Sequence, residues 1–159
     1  RPLPDSYVHK QHHKTKKPYY SCYLFTPNSP LYPFGYGLSY TGFEVGKGKI
    51  SAKSMKADGS VKLTVPVTNT GDREGTETIQ VYVKALDYPE APIKSLRGFR
   101  KVWLKPGETA KAEIILDGEA FEYYDPSIDE LSTRAGRYQI LYGTSSLEKD
   151  LKVIDFVVK

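Results

Sequence analysis

The stretch Val61-Lys62-Leu63-Thr64-Val65-Pro66-Val67-Thr68 decides the fold of this 159-residue chain. Val61, Leu63, Val65 and Val67 alternate with Lys62, Thr64, Pro66 and Thr68, the period of two that a strand with one buried face requires. No 3.6-residue spacing fits those four apolar positions, so a helix is excluded. Pro66 has no amide hydrogen. It is predicted at an edge, at a bulge, or with its nitrogen facing away from a neighbouring strand. Ala57-Asp58-Gly59-Ser60 forms the turn before this strand, and Asn69-Thr70-Gly71-Asp72 closes it.

The same alternation recurs on both sides. Ile79, Val81 and Val83 oppose Thr78, Gln80 and Tyr82. Ala110, Ala112, Ile114 and Leu116 oppose Thr109, Lys111 and Glu113, and Tyr138, Ile140 and Tyr142 make a further set. Residues 94–104 read as a strand with a bulge at Gly98, because Leu96, Phe99 and Val102 share no parity. Lys105-Pro106-Gly107-Glu108 reads as a type II turn. A weak first strand over 43–53 (Phe43, Val45, Ile50) and a final one over 150–158 complete the series. Phe121, Tyr123 and Tyr124 are expected to anchor the irregular stretch 117–134 to the core. Seven or so short strands without an amphipathic helix predict an all-β, antiparallel sandwich. The lack of a Cys…Trp…Cys pattern argues against an antibody-type domain and favours the fibronectin type III-like version of the immunoglobulin-like sandwich.

Ahead of the first strand, Leu31-Tyr32-Pro33-Phe34-Gly35-Tyr36-Gly37-Leu38-Ser39-Tyr40-Thr41 crowds aromatic residues, glycines and a proline together. Pro33 and the Gly-x-Gly spacing rule out a helix, leaving an extended joint whose rings anchor it to folded layers. The division expected is an irregular arm and inter-domain linker over 1–41 and a sandwich over 42–159. Composition changes across that joint. The net charge of +4 lies entirely in residues 1–20, where Arg1, Lys10, Lys14, Lys16 and Lys17 face Asp5 alone. The remainder is neutral, which argues against a nucleic-acid-binding face. Cys22 is the single cysteine, so no intrachain disulfide forms. No apolar run approaches the roughly 20 residues of a membrane helix. His9, His12 and His13 have a ligand-like spacing, but without nearby cysteine or paired carboxylates they are read as a polar arm, and no metal or cofactor is expected. Starting at Arg1, the sequence reads as a piece of something longer.

Taken in order, Pro30 to Thr41, Val67-Thr68-Asn69-Thr70-Gly71, Gln80-Val81-Tyr82-Val83, Leu96-Arg97-Gly98-Phe99, Leu104 to Glu108 and Tyr142-Gly143-Thr144-Ser145-Ser146 resemble the C-terminal end of glycoside hydrolase family 3 enzymes, the β-glucosidases and β-xylosidases. The resemblance implies a parent with a barrel domain, an α/β sandwich and a terminal fibronectin type III-like domain. This chain would be the last part, with Phe34, Gly35, Tyr36, Gly37, Leu38, Ser39, Tyr40, Asn69 and Gly71 as structural signature residues. The nucleophile and the acid/base group would lie in the other domains, so this chain alone is expected not to be an enzyme. The parent would hydrolyse terminal β-linked glucose or xylose, in a secreted or periplasmic setting. The expected partners are the parent's catalytic domains.

One surface reading runs beside that. Trp103 lies on the parity opposite Val102 and Leu104 and therefore faces outward, with Lys101 and Arg97 near it and Tyr82 on the outer parity of an adjacent strand. Flat aromatic faces flanked by hydrogen-bonding groups hold sugar rings, so these four residues are the candidate glycan contact of an accessory carbohydrate-binding module. Exposed aromatics also stabilise cross-strand pairs or cover interfaces. A generic Ig-like interaction domain is the third alternative. Tyr19, Tyr20, Tyr23 and Phe25 in the arm are read as hydrophobic anchors, through which the arm folds back or self-associates.

Overall fold

A computed structural model describes residues 31–159. The expectations for the arm, its histidines and its tyrosines lie outside the described residues. Eleven strands occur in the described part: β1 (Phe43–Val45), β2 (Lys49–Ile50), β3 (Ser54–Met55), β4 (Ser60–Asn69), β5 (Gly75–Ala85), β6 (Ser95–Leu104), β7 (Thr109–Asp117), β8 (Tyr123–Asp125), β9 (Glu130–Ser132), β10 (Gly136–Gly143) and β11 (Leu151–Val158). One sheet has β4 at its centre, paired with β7 on one side and with β1 and β2 in succession on the other. The facing sheet runs β3-β11-β10-β5-β6, and β8 and β9 form a separate ribbon.

The core is what the alternation specifies. Val61, Leu63, Val65 and Val67 on β4 lie directly opposite Leu116, Ile114, Ala112 and Ala110 on β7. Ile79, Val81 and Val83 on β5 and Tyr138, Ile140 and Tyr142 on β10 line the other inner face. Fully burying an aliphatic side chain of this size contributes about 1.5–3 kcal/mol. The two layers are also tied by a polar contact, because the Gly48 amide donates to the Tyr142 hydroxyl at 2.7 Å.

Pro66 sits in the central strand, and the structure explains how. Its carbonyl accepts from the Gly46 amide at 2.8 Å, so its nitrogen faces the same neighbour, at the interruption between β1 and β2. Val45 pairs with Val67 and Lys49 with Thr64, a register shift of one residue across that interruption. The missing donor therefore falls where the ladder is already broken. The first strand read over 43–53 is for the same reason two short pieces, β1 and β2, while β3 begins at Ser54 and pairs with β11 in the facing sheet. In β6 the predicted bulge is present: Val81 pairs with Gly98 and Tyr82 with Leu96, leaving Arg97 over. In the turn after β6, Gly107 has φ +74° and the Glu108 amide donates to the Lys105 carbonyl at 3.0 Å, the geometry a type II turn asks of glycine.

Of the three rings expected to anchor 117–134, Phe121 and Tyr123 are buried, whereas Tyr124 is exposed. Tyr124 and Tyr123 are consecutive on β8, so their side chains point to opposite faces. Tyr138, deep in the core, donates its hydroxyl to the Arg134 carbonyl at 2.7 Å. Burial, then the neighbouring Tyr123 and Tyr88, pushes that hydroxyl up from the usual 10.0 to about 12. The unfolded phenol ionises first, so raising the pH favours the unfolded state. Stability from this group is expected to be complete below pH 10 and to fall progressively between 10 and about 12. Urea unfolding across that range checks it, with Tyr138→Phe expected to flatten the alkaline loss. An unchanged slope in that variant would sink the assignment.

Candidate functional site

The joint does not hang free of the sandwich. Phe34 and Gly35 form a turn and Tyr40 and Thr41 a bend, and along Phe34, Gly35, Tyr36, Gly37, Leu38, Ser39, Tyr40 and Thr41 large apolar or aromatic side chains alternate with small residues. At one end the Ser146 amide donates to the Phe34 carbonyl at 2.9 Å. Beside it, the Gln80 side-chain amide donates to the Gly35 carbonyl at 2.9 Å and to the Thr144 carbonyl at 2.8 Å. Gly35 has φ +75°, and a Cβ there would lie 2.0 Å from Gln80 Oε1. Only glycine meets both conditions.

The other end is held by Asn69. Its side chain is 0% exposed, and all of its hydrogen-bonding groups are engaged. Nδ2 donates to the Arg73 carbonyl at 2.7 Å and to the Leu104 carbonyl at 3.1 Å. Oδ1 accepts from Thr41 Oγ1 at 2.8 Å and from the Gly71 amide at 3.0 Å. One side chain thus joins the joint, the β4–β5 turn and the end of β6. The sequence marks Asn69 as a turn residue and, through the resemblance, as a structural signature residue; the hub becomes visible when the three segments meet.

The outer face of the five-stranded sheet lies beside this joint. Phe99, Lys101 and Trp103 alternate along β6, directly opposite Gln80, Thr78 and Thr76 on β5. Phe99 and Trp103 are exposed, as are Phe34, Tyr36, Leu38 and Tyr40 of the joint. Among the described residues no group of three or more His, Cys, Asp or Glu could hold a metal ion. Glu77 is half-buried, and burial raises its carboxyl although the Thr78 amide donates to it at 2.7 Å.

The fibronectin type III-like domain family matches residues 77–146. The chain is 51% identical over 123 residues to a xylan 1,4-β-xylosidase of Xylanibacter ruminicola, covering 77% of this chain and 14% of that protein. It is 40% identical over 129 residues to a periplasmic β-glucosidase of Salmonella typhimurium, covering 80% of this chain and 17% of that one. A crystal structure of a β-glucosidase from Listeria innocua in complex with glucose superposes with a TM-score of 0.79 at 33% identity, covering 99% of this chain and 22% of the other. This chain belongs to the fibronectin type III-like domains of glycoside hydrolase family 3. It spans only a small part of the curated relatives it matches, as a non-catalytic domain of a hydrolase does.

Within this fibronectin type III-like domain the four candidate glycan contacts do not stay together. Trp103 is 52% exposed, and Lys101 stands next to it on the same face. Tyr82 is 3% exposed, a correction to its expected place on an open surface. Its parity is outward, but its hydroxyl donates to Gln80 Oε1 at 2.6 Å beneath the joint, and burial pushes that hydroxyl's pKa up. Arg97 is the extra residue of the bulge, and its guanidinium donates to the carbonyls of Glu119 and Glu122. That side chain is committed to the turn before β8 and does not flank Trp103. Phe99, passed over in the sequence because the bulge obscures its parity, is the residue that shares the open face with Trp103 and Lys101.

Proposed function

We propose that this chain is the bracing C-terminal domain of a family 3 β-glycosidase whose other domains hydrolyse terminal β-linked glucose or xylose. The observation that carries the reading is the joint, a hydrogen-bonded attachment on a chain whose relatives are about five times as long. Residues 1–41 are the stretch leading from the preceding domain and 42–159 the brace itself. A secreted or periplasmic setting goes with it, supported by the Salmonella relative described as periplasmic and by the lack of any membrane-crossing helix among the described residues. Retaining hydrolysis needs two carboxyl groups about 5–5.5 Å apart, which this reading assigns to the domains upstream.

The test is hydrolysis of aryl β-glucosides and aryl β-xylosides. The polypeptide of the full reading frame is expected to cleave at least one of them, and this chain alone neither. Cleavage by the isolated chain would overturn the reading. The same preparations test a second reading, favoured by the open Phe99, Lys101 and Trp103 face: an accessory glycan contact. It requires retention of xylan or a β-glucan by the domain and release in Trp103→Ala. Self-association through the arm would appear as a concentration-dependent mass that is lost when residues 1–30 are removed.

A further inference from the structure

Gln80 lies in the middle of β5 on the outward parity, where an ordinary strand would place a solvated side chain. It is instead buried, and each polar atom of its amide has a partner. Nε2 reaches the carbonyls of Gly35 and Thr144, and Oε1 receives the Tyr82 hydroxyl. Those partners belong to three segments: the joint, the loop after β10, and β5 itself. A primary amide can donate twice and accept at the same time while uncharged. Glutamate would set a carboxylate against two carbonyls, and an aliphatic side chain would leave both carbonyls without a donor.

The joint is shaped to receive this amide. The left-handed Gly35 brings bare backbone onto it, where a Cβ would lie 2.0 Å from Oε1. Next to this contact the Phe34 carbonyl takes the Ser146 amide. Further along the same chain, Thr41 reaches Asn69. We infer that Gln80 is a positioning residue that keys residues 34–41 onto the sandwich as a rigid strap, setting the direction of the strap's own backbone. Family 3 glycosidases would use that direction to fix the brace against the catalytic domains. This use rests on the bracing reading, but the clamp itself does not.

Site-resolved amide hydrogen exchange on the 159-residue chain tests it. In Gln80→Ala the Ser146 amide is expected to lose protection by at least about tenfold, while the β10–β11 ladder keeps its own, the pattern of a local opening. Gln80→Glu is expected to match Gln80→Ala, because the donors are what the strap needs. Gly35→Ala reaches the same contact from the strap side and should release Ser146 alike, with little further loss in the double variant, since two substitutions at one contact are not additive. Protection at Ser146 retained in Gln80→Ala, Gln80→Glu or Gly35→Ala overturns the proposal. So does a parallel loss over the whole domain, which would make Gln80 a general stability residue. Failure of the bracing reading would show in the hydrolysis experiment and leave these exchange rates as expected.

Discussion

Asn69→Ala is expected to destabilise the domain by about 3–5 kcal/mol, the upper range for a single substitution. Four contacts are lost at once around a side chain with no exposed surface, one of them buried and three partly buried. The Arg73 and Leu104 carbonyls lose their donor, and the Gly71 amide and Thr41 hydroxyl lose their acceptor. Each buried polar group left unpaired costs about 1–3 kcal/mol. Partial collapse of the turn keeps the total below the simple sum. Thr41→Val removes one of the four contacts and is expected to cost about 1 kcal/mol. Asn69→Asp keeps the shape and the acceptor but turns a carboxylate toward two carbonyls, so it should approach the alanine variant. Urea unfolding of the three variants measures this. An alanine loss near that of Thr41→Val would mean that the hub bears no more than one ordinary hydrogen bond.

Phe121→Ala should cost a similar amount for an unrelated reason, about 3–5 kcal/mol for a large ring removed from a packed interior. Phe121 ends a single 3-10 turn, Gly118–Phe121, whose start is capped by Asp117 accepting from the Ala120 amide at 3.3 Å. The turn drives the ring into the sandwich. There it stacks on Phe156 with centroids 5.1 Å apart and meets Tyr138 edge-on at 5.5 Å. Both partners belong to the β10–β11 pair, so the ring joins the crossing segment to the middle of the facing sheet. The unfolding midpoint is expected to fall with an unchanged denaturant slope. A loss under about 2 kcal/mol would show that the segment after β7 moves in to fill the space.

The strands were legible because burial on one face imposes a period of two on residue type, and β4, β5, β7 and β10 keep it with few exceptions. That period reports which face a side chain takes. It does not report whether the face is covered. Tyr82 illustrates the difference: its outward parity was read correctly, yet it is buried, its hydroxyl on Gln80 and the Lys94 ammonium over its ring. Arg97 was misplaced because a bulge consumes one residue, and every parity argument changes sign there. Trp103 and Lys101, beyond the bulge and beyond the strap, stand where alternation puts them. The β1 and β2 pieces were read as one weak strand loosened at Gly46 and Gly48, because glycine weakens an alternation without showing that it breaks there. The resemblance marks Asn69 as a structural signature residue and Gln80 as part of a matching motif, but what each holds together was not legible. Their role depends on carbonyls supplied by residues 35 to 64 positions away, and a polar residue in a strand or turn looks the same whether water or backbone satisfies it.

The outermost strand of the five-stranded sheet has a further consequence. Among the described residues β6 has β5 on one side and no strand partner on the other, and between Ser95 and Leu104 its charged residues are Arg97, Arg100 and Lys101, with no acid among them. A second copy aligning its own β6 there would bring like charges together across a spacing of about 5 Å. The Arg97 bulge also bends the strand out of the flat geometry that stacking requires. These are the devices by which sheet proteins block edge-to-edge growth. The domain therefore carries its own protection against edge-to-edge growth, and neutralising Arg100 and Lys101 would weaken it and leave the bulge to act alone.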